Sequence, residues 1–192
     1  MPKNFLLVAM LIFSMPLFVS ASNTNGVIDS TGKYAWGENI GWINFGASDS
    51  NVQITDSAIT GYAWSANYGW INLNPLTGGI LNDGAGNLSG YAWGENLGWI
   101  DFADVSINSS GEFMGYAVIE NDSSRISLNC ANTSCASSDF KVKTDWRPQS
   151  ARPACNNALD DDSDGKIDYP ADPGCGSLTD EDETDAAAGG SV

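Results

Sequence analysis

GYAWGENLGWI, residues 90–100, sets two tryptophans, a tyrosine and three glycines in eleven positions. Nearly the same string begins at Lys33 (KYAWGENIGWI) and at Gly61 (GYAWSANYGWI). A weaker fourth copy, GYAVIENDSSRISL, begins at Gly115 and has lost both tryptophans, with Val118 at the first position and Ser124 at the second. Aligned on Tyr34, Tyr62, Tyr91 and Tyr116, the copies are spaced by 28, 29 and 25 residues. A period of this length marks one supersecondary unit used several times, and a terminal copy with only one neighbour departs from the pattern.

Within a copy the pattern is that of a hairpin. Tyr91 and Trp93 alternate with Ala92, Gly94 to Gly98 interrupt, and Trp99-Ile100-Asp101-Phe102 resumes a strand-like run. With those five residues as the loop, Trp93 faces Trp99 and Tyr91 faces Asp101, while Ala92, Ile100 and Phe102 take the opposite face. Asn39, Asn67, Asn96 and Asn121 recur at one place, followed by Gly41, Gly69 and Gly98 in three copies. Both residue types tolerate positive φ, so these positions are read as turn chemistry. Further short strands are expected at Val52–Thr55, Gly79–Asn82, Val105–Ile107 and Phe140–Thr144.

No stretch between residues 26 and 147 carries a helical apolar stripe. The expected fold is therefore all-β: a repeat-built antiparallel sandwich, prism or barrel-like domain, with a β-solenoid as the alternative. Both faces of each hairpin are apolar. The expectation is that the Tyr and Trp rings fill the interior between short strands, each burying about 150–250 Å². The rival reading leaves Tyr34, Trp36, Tyr62, Trp64, Tyr91 and Trp93 exposed to stack on sugar rings, as aromatic platforms do in carbohydrate-binding modules.

The N-terminus has the layout of a secretory signal peptide over residues 1–21: Lys3, an apolar run from Phe5 to Phe13, and small residues at Ser20-Ala21. Removing it takes away Lys3 alone and moves the formal charge from −16 to −17. Such a surface repels phosphate backbones and anionic headgroups, which argues against nucleic acid as a partner. No later segment is long and apolar enough to span a bilayer, so no stable membrane span is expected after cleavage. An extracellular, cell-surface or periplasmic location follows, with an unknown protein or glycan at the cell surface as partner. Four cysteines in an exported chain favour disulfides. Proximity favours Cys130–Cys135 and Cys155–Cys175, although four cysteines allow three pairings.

The β-repeat domain covers residues 26–147 and a linker covers 148–154. From Ser150 onward eleven Asp and Glu stand against Arg152 and Lys166. The segment 155–175 holds a D-x-D-x-D-G frame at Asp160, Asp162 and Asp164, with glycine at 165 for the sharp turn. Oxygen ligands at that spacing suit Ca²⁺, with the Lys166 carbonyl, Asp168 and Asp172 completing the candidate set. Position 12 of the loop is Ala171 where an EF-hand has glutamate, so the element is closer to the short calcium loops of dockerin and thrombospondin type 3 repeats. Residues 176–192 are read as an acidic disordered tail.

KYAWGENIGWINF, GYAWSANYGWINL, CANTSCASSDFKVKTDWRP and CNNALDDDSDGKIDYPADPGC together resemble a group of uncharacterised exported bacterial proteins. These carry GYAWSENIGWI-type repeats and cysteine-framed aspartate-rich calcium motifs. The resemblance implies surface or extracellular material and brings no activity with it.

An enzyme is not expected. The chain has no histidine, which removes Ser-His, Cys-His and His-metal arrangements. A carboxylate pair would be the remaining route. Glu38, Glu95 and Glu120 recur at one repeat position, but in turns, and copy two has Ala66 there. The leading expectation is a secreted or cell-surface structural or interaction protein with a calcium-binding C-terminal element, and a carbohydrate-binding module is the alternative.

Overall fold

A computed structural model describes residues 24–136 and 138–186. The signal-peptide segment and the last six residues lie outside the described residues. Among those described there is no α-helix; thirteen strands, all paired antiparallel, make up the body.

The four copies are four hairpins. Copy one pairs β1 (Asn25–Gly37) with β2 (Gly41–Asn44). In copy two, β3 (Gln53–Thr55) and β4 (Ala58–Thr60) precede the hairpin of β5 (Tyr62–Ser65) and β6 (Gly69–Asn72). Copy three consists of β7 (Gly79–Asn82), β8 (Leu88–Gly94) and β9 (Gly98–Asp101). Copy four has β10 (Val105–Ile107), β11 (Phe113–Ile119) and β12 (Arg125–Ser127). A last strand, β13 (Val142–Thr144), returns to β1.

Neighbouring hairpins pair edge to edge in the order β1–β2–β5–β6–β8–β9–β11–β12, and β12 pairs β1 again. The sheet is thus a closed eight-stranded barrel that leaves no free edge at this level. Below it runs a second tier: the first half of β1, then β3, β4, β7, the first half of β8, β10 and the first half of β11. There β13 fills the place beside β1 that β3, β7 and β10 fill in the other copies, so the C-terminal strand completes the first repeat.

The two tiers meet at a bend one residue before each tyrosine, occupied by Lys33, Gly61, Gly90 and Gly115. The amides of Phe45, Leu73, Phe102 and Leu128 donate to the carbonyls of these four residues in turn. At Gly90, φ is +80° and a Cβ would lie 2.1 Å from the Gly79 carbonyl oxygen, so only glycine fits.

The predicted hairpin register is observed: Trp93 faces Trp99, Tyr91 faces Asp101 and Ala92 faces Ile100. Copies one and two repeat it. What faces inward, however, is the small row. Ala35, Ala63, Ala92 and Ala117, each opposite Ile43, Ile71, Ile100 or Ile126, form the central layer of the core. Phe45, Leu73, Phe102 and Leu128 make the next layer, and Ile54, Ile59, Ile80, Leu88, Ile107 and Phe113 fill the lower tier. The expectation that the repeat's aromatic rings fill the interior is therefore overturned. An eight-stranded barrel has room for only a thin layer of side chains at each level, and four Ala–Ile pairs occupy it. Six repeat indoles could not enter the same space, so the alternation sends them outside.

The recurrent asparagines also do something other than expected. None of the four has positive φ; the left-handed positions are Gly41, Gly69 and Gly98, at +79°, +83° and +82°. Instead each amide clasps the preceding hairpin tip. Asn67 Nδ2 donates to the Ile40 carbonyl (3.1 Å), Asn96 to Tyr68 (3.1 Å) and Asn121 to Leu97 (2.9 Å). Asn39 closes the circle on Ser124 Oγ at 2.9 Å. Copy four has a longer loop with Ser123 at φ 60°, and Arg125 lies across from Val118. The second lost tryptophan is thus replaced in space by Arg125, one residue beyond the position that gap-free alignment assigns to Ser124.

Trp146, fully buried, lies under the other end and donates from Nε1 to Asp56 Oδ1 at 2.8 Å. Arg152, from the expected linker, has no exposed side-chain surface and binds both oxygens of the same Asp56. The segment 148–152 is therefore held against the barrel.

Replacing Gly90 by alanine is expected to cost roughly 2–4 kcal/mol, combining left-handed strain with the overlap on Gly79. Gly69→Ala, where nothing lies within 4 Å, should cost only the strain, about 1–2 kcal/mol. Urea denaturation of the two variants checks the order; equal losses would contradict the account of the bend.

Candidate functional site: the outer aromatic ladders and the Asp-rich element

The outward face of each complete hairpin carries three rings in one geometry. Tyr34, Trp36 and Trp42 form the first ladder, Tyr62, Trp64 and Trp70 the second, Tyr91, Trp93 and Trp99 the third. In all three the Tyr and second Trp centroids are 6.2 Å apart and the two Trp centroids 4.8 Å apart, steeply inclined. Edge-to-face packing of this kind stabilises the hairpin by about 0.5–1.5 kcal/mol per pair beyond area burial. It leaves large ring surface in solvent: Trp42 is 45% exposed, Trp70 40% and Trp93 38%. Large aromatic rings gathered and exposed in this way are a feature of interaction sites. In copy four the row ends in a cation, Arg125, whose guanidinium lies 5.3 Å from the Tyr116 ring centroid.

The ladders are not equivalent in their surroundings. After η1 (Cys130–Asn132), which the Cys130–Cys135 disulfide pins, the chain runs up beside copy one and sets Phe140 against Trp42, with centroids 5.4 Å apart at 83°. Among the described residues no other ladder gains an extra ring. Together Tyr34, Trp42 and Phe140 wall a cleft of about 780 Å³.

Its polar side is built from the second tier. Lys141 pairs with Glu112 (3.3 Å) and Asp139 (3.6 Å), and these carboxylates hold the ammonium's pKa above its usual value. Asp29 Oδ1 accepts from the Gly32 amide (2.8 Å), the Thr31 hydroxyl (2.7 Å) and the Thr31 amide (2.8 Å). Those bonds, the Gly32 amide foremost, lower its pKa to about 2, so it is ionised at any ordinary pH. None of the polar cleft residues was singled out in the sequence. They come from strands far apart in the chain, and only the return of β13 to β1 brings them together.

The C-terminal element is closed by the Cys155–Cys175 disulfide. Within it the carboxylates of Asp160, Asp162 and Asp164 each offer an oxygen within 4.8 Å of the others. Asp160 Oδ2 accepts from the Gly165 amide at 3.0 Å, whereas Asp160 Oδ1 is buried with no protein partner. Asp162 Oδ1 accepts from the Asp164 amide at 3.1 Å, and Asp164 Oδ1 from the Lys166 amide at 2.7 Å. The Lys166 ammonium lies against Asp164 and also pairs with Asp185. Asp168 is turned elsewhere, accepting from the amides of Asn157 and Ala158 at 2.9 Å each. Asp172 is buried; one oxygen accepts from the Gly174 amide and the other has no partner.

Glu183, expected in a disordered tail, is buried in this element. It accepts from the amides of Asp161 (2.7 Å) and Asp168 (2.9 Å) and so ties the tail back over the acidic loop. Glu38, Glu95 and Glu120 stand exposed on three separate hairpin tips. Two disulfides point to an oxidising compartment. No helix among the described residues is long and apolar enough to cross a membrane.

Compared with protein-family models, curated proteins and solved structures, the chain matches none.

Proposed function

We propose that this is an exported binding protein of the cell surface whose barrel presents its aromatic ladders to carbohydrate. The observation that carries the reading is the threefold repetition of one Tyr-Trp-Trp geometry on the outer wall, with roughly two-fifths of several rings in solvent. A pyranose offers a flat C–H face to such a ring and hydroxyls to the polar groups beside it. Ladders spaced around a rigid barrel suit a ligand that repeats, because weak contacts at several sites add through effective concentration. The acidic surface disfavours polyanions, so neutral polysaccharides are the ligands expected.

The chain is expected to be retarded in native gels that contain at least one soluble neutral glucan, xylan or galactomannan. Unchanged mobility in all of them would refute the carbohydrate reading.

A second reading concerns the C-terminal element, which we infer takes Ca²⁺ at Asp160, Asp162 and Asp164. Its support is the convergence of three carboxylates and the partnerless buried oxygen of Asp160. The donor set is all oxygen, as a hard cation requires, and an arriving ion would displace the Lys166 ammonium from Asp164. Asp168 and Asp172, which accept from other amides, would join only after local rearrangement.

Titration calorimetry of the full chain is expected to give one calcium-binding event that Asp160→Ala or Asp164→Ala abolishes, with the barrel's near-ultraviolet circular dichroism unchanged. Binding that persists in both variants would contradict this assignment.

A further inference from the structure

The three ladders share one internal geometry, yet the first borders a cleft of about 780 Å³ lined by Asp29, Glu112 and Lys141, whereas the third borders a smaller one, of about 270 Å³, with Glu120. We propose that the cleft at copy one is the principal sugar subsite, taking one uncharged pyranose between the rings of Trp42 and Phe140 and the polar rim of Asp29, Glu112 and Lys141. The proposal rests on the carbohydrate reading above and deepens it by naming the locus and the class of sugar.

Two aromatic walls and one polar wall are what the two surfaces of a pyranose need. Phe140 meets Trp42 at 83° and 5.4 Å and adds to the first ladder an aromatic wall from outside the hairpin, which the other two ladders lack among the described residues. The cleft, at about 780 Å³, lies within the 300–1,000 Å³ range typical of small-molecule sites and has room for more than one sugar unit.

The rim decides which sugar. Asp29 keeps its charge because three donors already saturate Oδ1, and it still offers carboxylate lone pairs to a hydroxyl. Glu112 and Lys141 compensate one another, and Asp139 shares the same ammonium. A carboxylate-bearing sugar would face Asp29, Glu112 and Asp139 against Lys141, already engaged, and Lys143, a rim of net negative charge, and would be disfavoured. A neutral hydroxyl ring meets acceptors and an ammonium donor at no such cost.

Copy one owes this cleft to its place at the closure of the barrel. The segment that follows copy four passes beside copy one before β13 pairs β1, and it alone supplies Phe140, Lys141 and Asp139. The segment also lies against copy four, which has no complete ladder, but it lines no cleft with the second or third ladder, so the selectivity for the first ladder follows from the chain path.

Affinity electrophoresis of the full chain in a neutral glucan, a xylan and a galactomannan, with alginate as a polyanionic control, tests the assignment. Phe140→Ala and the near-isosteric Glu112→Gln are each expected to weaken retardation by about tenfold, whereas Trp70→Ala changes it by less than about twofold. Far-ultraviolet circular dichroism of Glu112→Gln guards against misfolding as the cause. If Trp70→Ala weakens binding as much as Phe140→Ala and Glu112→Gln, the ladders are equivalent; the carbohydrate reading then stands and the cleft assignment falls. Tightest retardation in alginate overturns the neutral-sugar assignment, and no retardation of the wild-type chain in any gel removes both readings.

Discussion

Four alanines set the bore of the barrel. Each hairpin turns Ala35, Ala63, Ala92 or Ala117 inward opposite an isoleucine, and with four hairpins in a ring the lumen is filled at that level. Since neighbours along a strand point to opposite sides, an inward Ala92 forces Tyr91 and Trp93 outward. The outer ladders, the cleft at copy one and the proposed binding role all descend from that choice of face. Substituting a large residue at any of these alanines would demand room that close packing does not leave.

Closure is the second determinant. A ring of hairpins could open into a spiral, but the Asn39–Ser124 bond joins tip four to tip one, and β12 pairs β1 along the wall. In the lower tier β13 completes the first repeat with a strand from the far end of the sequence. Chain ends that complete one another in this way make the four copies cooperative, because none has its full set of neighbours until the circle closes. The buried Arg152 and Trp146, both bonded to the half-buried Asp56, hold the exit of the chain against the barrel floor. The disulfide-closed acidic element follows directly from that anchor.

The hairpin register was legible, because Trp93 facing Trp99 follows from a five-residue loop and a period of two. The short strands at Gly79–Asn82 and Val105–Ile107 were legible too, bounded as they are by turn residues. The inward face was not. Both rows of GYAWGENLGWI are apolar, and hydrophobicity alone ranks Trp above Ala for burial. Only the circumference of the closed ring reverses that order. The Asn positions misled for a related reason: an amide beside a turn glycine reads as local chemistry, yet its partner lies 24 to 28 residues earlier on the preceding tip. Asp160, Asp162 and Asp164 were found by spacing because their convergence is local. Asp29, Glu112 and Lys141 carry no motif, and Glu183 lies in a stretch whose composition argues for disorder.

Everything assigned to the outer wall depends on the repeat indoles standing in solvent while Ala and Ile line the lumen. Limited oxidation with N-bromosuccinimide, mapped by mass spectrometry of peptides, reads this directly. Trp42, Trp64, Trp70 and Trp93 should be modified in the first equivalents and Trp146 only on unfolding. Protection of those four indoles together with ready modification of Trp146 would mean that the barrel is inside out, and the account would fail.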